Sequence, residues 1–309
     1  MNPETQSSNS PLRCPVCKAS LLLESQTYRC ANNHSFDLAK EGYVNLLLSH
    51  QRKSKNPGDD KAMIQARRRF FDSDAFNPVT EALQHSTSHI PHPTSHVPHP
   101  TQEIRLELAT ATKQSEVTIL DCGCGEGHFL SALSGTRFGV DVSKEAIRAA
   151  AKRYKDVTWI VANGMRELPF ADQSLDCILS VLAPRNTDEF ARILKPSGML
   201  ILGVPGPNHL IELRSRLNAN AGDFEEKADE AAEKCAPLFE ERSRDNIAYE
   251  ITLNQKQIAD LIQMTPIFWN SSPEAKEEVR QLSELNITIS FVILTLGLRF
   301  TMKDHHERP

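Results

Sequence analysis

The sequence predicts a parallel, doubly wound α/β domain preceded by a small metal-clipped module. Three observations carry that expectation. From Val117 onward, short β-branched runs alternate with helical segments in the order "VTILDC", 128–134, "RFGVDV", 143–154, "VTWIV", "SLDCILSVL", 187–194 and "GMLILGV", the pattern of strands joined by crossover helices. The first strand runs straight into "DCGCGEG", where Gly123, Gly125 and Gly127 permit a sharp turn before a helix. Near the start, "CPVCKASLLLESQTYRCANNH" spaces Cys14, Cys17, Cys30 and His34 as C-x2-C-x12-C-x3-H.

In chain order, residues 1–12 form a polar lead without the basic start and apolar core of a signal peptide. Residues 13–48 are the Cys/His module, with "SLLLES" and "TYRC" as two short strands. Four soft or imidazole donors are the number a closed tetrahedral zinc site requires, with no position left for a reactive water. The metal is therefore expected to be structural, folding about thirty residues that bury little core of their own. Seven cysteines, an odd number with three at ligand spacing, are not a secreted disulfide framework. Reduced thiols and a cytoplasmic location follow, and no apolar run approaches the ~20 residues that span a bilayer. The longest, "ITISFVILTLGL" from Ile287, reads as a buried strand.

Residues 49–84 hold a basic segment and helices. Residues 1–72 carry eleven Lys/Arg against seven Asp/Glu in a chain whose net charge is -5, so the positive surface is local and the protein is not a passive nucleic-acid coat. A helix is expected from Asp60, with Met63, Ala66 and Phe70 on one apolar stripe and Arg67, Arg68 and Arg69 turned mostly outward. A second begins at "NPVTEALQ", with Asn77 as cap and Pro78 in the first turn. Residues 85–102 contain the repeat "TSHIPHP"/"TSHVPHP"; its prolines exclude a continued helix and favour a linker over a metal tract. The main domain occupies residues 103–309. Past its alternating core lie an acidic helical stretch around 223–241, the strands "NIAYEITL" and "NITISFVILTL", and between them the amphipathic "QKQIADLIQM".

The glycine-rich turn has the form D-x-G-x-G-x-G, unlike the G-x-G-x-x-G of dinucleotide sites. Asp121 at the strand tip suits a cationic or amine-bearing ligand, whereas a pyrophosphate wants a bare anion nest. Asp141 ends the next strand, where a carboxylate can accept both hydroxyls of a ribose. This order, continued by "LPF", D-x-I and "LKPSGML", resembles class I S-adenosylmethionine-dependent methyltransferases. The resemblance implies a Rossmann-like, seven-stranded domain binding S-adenosylmethionine, with Asn163 where an acidic residue often meets the adenine amine.

Longer stretches narrow the likeness. "CPVC", "YRCANNHSFDLAKEGYVNLL", "NPGDD", "MIQARRRFFD", "GVDVSK", "VPGPNHLIELR" and "LIQMTPIFW" resemble the RlmA-type 23S ribosomal RNA (guanine-N1)-methyltransferases over nearly the whole chain, outside the first ten residues, the His/Pro repeat and the acidic stretch. That resemblance implies zinc on Cys14, Cys17, Cys30 and His34, and cofactor contacts at Gly125, Glu126 and His209. It adds Phe76, where tyrosine is the commoner aromatic. The implied substrate is 23S ribosomal RNA, at a guanine in a hairpin loop; a homodimer is carried as a separate expectation that the sequence itself does not decide.

Guanine N1 carries a proton and lies on the Watson–Crick edge, so a general base and an unpaired or flipped base are required. Asp37 and a carbonyl near Ala183 and Pro184 are candidates for the base. Arg52, Lys53, Lys55 and Arg67 to Arg69 are candidates for gripping phosphates. Two other classes compete. A small-molecule methyltransferase, for a quinone for example, would share the cofactor half but has no use for a zinc knuckle with a basic arm. A non-catalytic RNA-binding protein with a vestigial fold would not need Asp121, the three glycines and Asp141 together.

Overall fold

The computed structural model describes residues 10–51, 59–90, 116–217, 224, 226–265 and 271–299. The N-terminal module contains β1 (Leu22–Glu24), β2 (Thr27–Arg29) and β3 (Ser35–Asp37), followed by β4 (Tyr43–Asn45) and two helices, α1 (Lys61–Phe71) and α2 (Asn77–Ser88). The main domain begins β5 (Thr118–Cys122), α3 (His128–Ser131), β6 (Thr136–Asp141), α4 (Lys144–Arg153), β7 (Thr158–Val161) and β8 (Leu175–Val181). It continues α5 (Thr187–Ile193), β9 (Leu194–Pro205), α6 (Ile211–Arg216), α7 (Lys227–Cys235), β10 (Phe239–Asn254), α8 (Gln255–Met264), α9 (Pro273–Arg280) and β11 (Glu284–Leu298).

The large sheet has the order β10-β11-β9-β8-β5-β6-β7-β4. β5 lies between β6 and β8, parallel to both, while β11 runs antiparallel to β9 and β10. The seven strands expected from the main domain are all present, and β4 adds an eighth. Residues 43–45, counted with the Cys/His segment in the sequence, pair in parallel with β7, Tyr43 opposite Trp159.

Each face of the sheet packs its own core. One face receives α1 and α2 through Ala66, Phe70, Phe76, Val79 and Leu83, together with α8 through Ile258 and Leu261. The other receives α5, α7 and the N-terminal module, whose Leu12, Leu21 and Tyr28 bury beside Phe138 and Phe170. Leu12 bridges to Phe170, and Arg13 N–H donates to the Pro169 carbonyl at 2.9 Å. The module thus shares its apolar core with the main domain rather than standing apart as a metal-folded bead.

Asp60 caps α1, accepting from Met63 N–H at 2.8 Å. The cap of α2 is Phe76, not Asn77, and it makes no side-chain capping bond; Asn77 is the first helical residue. Burial decides this: the Phe76 ring sits edge-on to Phe70, Phe71 and Phe291, with centroids 5.9, 5.2 and 5.7 Å away, worth more than one exposed cap. α2 runs on through Ser88, into the His/Pro repeat, since the first proline after Pro78 is Pro91; residues 91–102 lie outside the described residues. Among the described residues, no helix is long and apolar enough to cross a membrane.

Candidate active site

A cavity of about 500 Å³ opens at the carboxyl ends of β5, β6 and β8. This is the switch point of the sheet, where crossovers leave β5 toward opposite sides and a crevice must form. Phe76, Asp121, Gly123, Gly125, Glu126, Asp141, Asn163 and His209 all line it. Gly127 is the exception among the expected cofactor residues. With φ +81°, it begins α3, and a Cβ there would lie 2.2 Å from the Trp159 ring. Its glycine lets the helix pack on β7. Gly123 (φ +86°) faces Ala183, whose Cβ would be 2.4 Å from an added one, so the loop can pass the end of β8 only without a side chain.

The cavity is acidic. Asp121 is buried and its carboxyl is pushed up to about 8 by desolvation, with the Asp141 charge adding to it. Burial likewise raises Asp141 and pushes Glu126 up to about 7 against the pull of Arg67. Glu126 Oε1 is buried without a hydrogen-bond partner. Such a cluster is destabilised until a cation enters it. A sulfonium with an α-ammonium group is such a cation, so the donor set fits S-adenosylmethionine.

Asp141 already accepts Gly125 N–H at 2.9 Å and Ser143 N–H at 2.7 Å, one on each oxygen. It therefore fixes the loop geometry as well as offering its remaining lone pairs to a ribose. The Asn163 amide donates to the Gln51 carbonyl at 3.1 Å and its oxygen accepts Met165 N–H at 3.0 Å. Asn163 thus ties the N-terminal segment to the turn after β7. The His209 ring is pushed down to about 4 by burial, with Arg214 nearby. It is neutral at pH 7, with Nδ1 accepting Ser290 N–H at 3.3 Å and Nε2 therefore carrying the proton.

Several expectations need correction. Arg67 does not face solvent. It lines the cavity, pairs with Asp59, and approaches Glu126 at 3.5 Å. Arg69 is exposed, as is Arg68, but its guanidinium forks onto Asp260 of α8 at 2.5–3.1 Å. Asp37 is exposed on β3, accepts from Thr27 at 2.7 Å and does not line the cavity, so the structure does not bring it to the site. Ala183 and Pro184 do line it. Arg52, Lys53 and Lys55 lie outside the described residues. Asp59, Arg67, Phe71 and His128, all in the wall, were missed; the helical phase places Arg67 four residues after Met63, on the inward stripe.

At the other end, the donor atoms of Cys14, Cys17, Cys30 and His34 all lie within 4.8 Å of one another. The Cys17–Cys30 sulfurs are 3.6 Å apart, and His34 Nδ1 is 3.6 and 3.5 Å from Cys14 and Cys30. A tetrahedron with Zn–S near 2.3 Å and Zn–N near 2.0–2.1 Å requires edges of roughly 3.5–3.8 Å, so the quartet fits one zinc ion. Three cysteines and an imidazole leave no open position, which is the donor set of a closed structural zinc site.

A seven-strand methyltransferase order with its D-x-G-x-G-x-G loop, joined to a Cys3His clip, defines a class I S-adenosylmethionine-dependent methyltransferase carrying a zinc ribbon. Comparison with known proteins agrees. Residues 12–55 match the RlmA N-terminal zinc-ribbon family, and residues 120–202 match the methyltransferase domain family. The 23S rRNA (guanine(748)-N(1))-methyltransferase of Streptomyces fradiae is 31% identical over 94% of this chain and 95% of its own. YxjB of Bacillus subtilis, which carries a 23S rRNA (guanine-N1)-methyltransferase name, is 32% identical over 94% and 98%. By contrast, a demethylmenaquinone methyltransferase of Tropheryma whipplei aligns over only 27% of this chain. The chain belongs to the RlmA-type 23S rRNA (guanine-N1)-methyltransferase family.

Proposed function

We propose that this enzyme transfers the methyl group of S-adenosylmethionine to N1 of a guanine in a hairpin loop of 23S ribosomal RNA. The observation that carries this reading is the coupling of the zinc module to the cavity. β4 extends the main sheet beside β7, and Gln51, just beyond, is held by Asn163 in the cavity wall. A quinone-type substrate gives that coupling no purpose; a folded RNA, gripped at some distance from its reacting base, does.

Methyl transfer from a sulfonium is an in-line displacement, so positioning dominates. S-adenosylmethionine supplies the electrophilic methyl group. Asp121, Glu126 and Asp141 hold its cationic and hydroxyl-bearing parts, and neutral His209 offers an Nε2 donor. Phe76 closes the apolar wall, retaining a ring face without a hydroxyl. The target guanine must be unpaired to reach the methyl, with Ala183 and Pro184 at the end of β8 framing its approach. We place the reaction in the cytoplasm, where ribosomal RNA is made, and carry a homodimer as the assembly to be checked by light scattering. Primer extension across the domain II hairpin tests the substrate: a reverse-transcription stop at one guanine should vanish when the gene is deleted, and an unchanged pattern refutes the assignment.

A further inference from the structure

Arg67 is the one lysine or arginine among the described residues lining the cavity, facing the carboxylates of Asp59, Asp121, Glu126 and Asp141. The methionine end of S-adenosylmethionine carries an anion as well as two cations. Its ammonium and sulfonium suit the carboxylates, but its carboxylate needs donors. Four N–H groups of the glycine-rich loop are already engaged. Gly123 and Cys124 N–H donate to the Val140 carbonyl at 2.8 and 3.1 Å, Gly127 N–H to Cys124 at 2.9 Å, and Gly125 N–H to Asp141 at 2.9 Å. His128 and His209 are neutral, each pushed down to about 4 by burial.

We propose that Arg67 binds the carboxylate of the methyl donor, exchanging its long 3.5 Å contact with Glu126 for that carboxylate while Glu126 takes the donor's ammonium group. Asp59 is the bracket that keeps the guanidinium aimed, bonded to Nη2 and fixed in turn by the Ser143 hydroxyl donating to its backbone carbonyl at 3.1 Å. Nη1, 3.4 Å from where a Cβ on Gly125 would sit, is the arm left to reach the ligand. Unpartnered Oε1 of Glu126 supplies the matching acceptor. The amino-acid end, a zwitterion, adds no net charge to the buried site and replaces one loose ion pair with two, while the sulfonium brings one positive charge to the carboxylates.

The inference rests on reading the cavity as the S-adenosylmethionine site, and calorimetry with three ligands separates the two. The ligands are S-adenosylmethionine, its decarboxylated analogue, which keeps both cations, and 5′-methylthioadenosine, which lacks the amino-acid end. The wild type should prefer S-adenosylmethionine over the decarboxylated analogue by about ten- to a hundredfold, the range of one charge-assisted pair. In Arg67→Gln that preference should collapse toward unity while 5′-methylthioadenosine binds as before. A preference retained in Arg67→Gln, or absent from the wild type, overturns the role of Arg67 alone. Failure of the wild type to bind any of the three overturns the site itself. If Arg67→Gln loses 5′-methylthioadenosine, Arg67→Lys decides: its preference must fall severalfold, and an unchanged preference refutes the proposal.

Discussion

Replacing Asp121 with asparagine should make the free enzyme more stable while removing its hold on the methyl donor. The carboxyl is buried and pushed from an ordinary 3.8 up to about 8. Between those values the native state binds more protons than the unfolded chain, so this group's contribution to stability falls as pH rises through the window. At pH 7 the unfolded carboxylate is favoured by about three pH units of ionisation, a destabilisation of up to about 4 kcal/mol relative to a neutral isostere. At pH 5 the same reasoning leaves under about 2 kcal/mol. Urea unfolding of Asp121→Asn and wild type at pH 5, 7 and 8.5, each with and without S-adenosylmethionine, measures this. The variant should gain stability over the wild type increasingly toward pH 8 and respond little to the donor. A variant less stable than wild type at pH 7 and 8.5, or one with undiminished donor affinity, would refute the reasoning.

Three further predictions follow from the same geometry. Because burial holds Glu126 near 7 and Asp121 near 8 in the free protein, donor binding should release protons and tighten as pH rises from 6 to 8.5; calorimetry in two buffers of different ionisation enthalpy reads the release. Gly127→Ala should cost about 2–4 kcal/mol by forcing a left-handed backbone and a Cβ into Trp159, visible as a lower urea midpoint with altered tryptophan fluorescence. Cys30→Ala should abolish zinc content, measured by mass spectrometry, and lower stability by more than about 3 kcal/mol. Because Leu12, Leu21 and Tyr28 share a core with Phe138 and Phe170, that loss should reach the main sheet and not stop at the module.

Much of this arrangement was legible before any coordinates. Strand-end aspartates and alternating glycines can only make a tight turn beside a ligand, and the Cys/His spacing matches the metal it serves. What escaped the sequence shares a physical cause: long-range packing. Tyr43–Asn45 is three residues long, too short for a period-2 signal, and only its parallel partner β7 makes it a strand. Arg67 reads as part of a solvated basic run, yet its phase on α1 and the acid cluster on distant β5 and β6 draw it inward. Phe76 displaces Asn77 from the cap because aromatic neighbours from α1 and β11 outweigh a local hydrogen bond. Gly127 looks like a ligand glycine until Trp159, thirty-two residues on, is seen to fill the space.

The most direct measurement is incorporation of methyl groups from labelled S-adenosylmethionine into a 23S ribosomal RNA hairpin fragment by the purified zinc-loaded enzyme, with nucleosides resolved by mass spectrometry. The account predicts label in 1-methylguanosine, from a single guanine, with Asp121→Asn inactive on the same RNA. Label in any other nucleoside, or none in RNA while a small quinone is methylated, would contradict it.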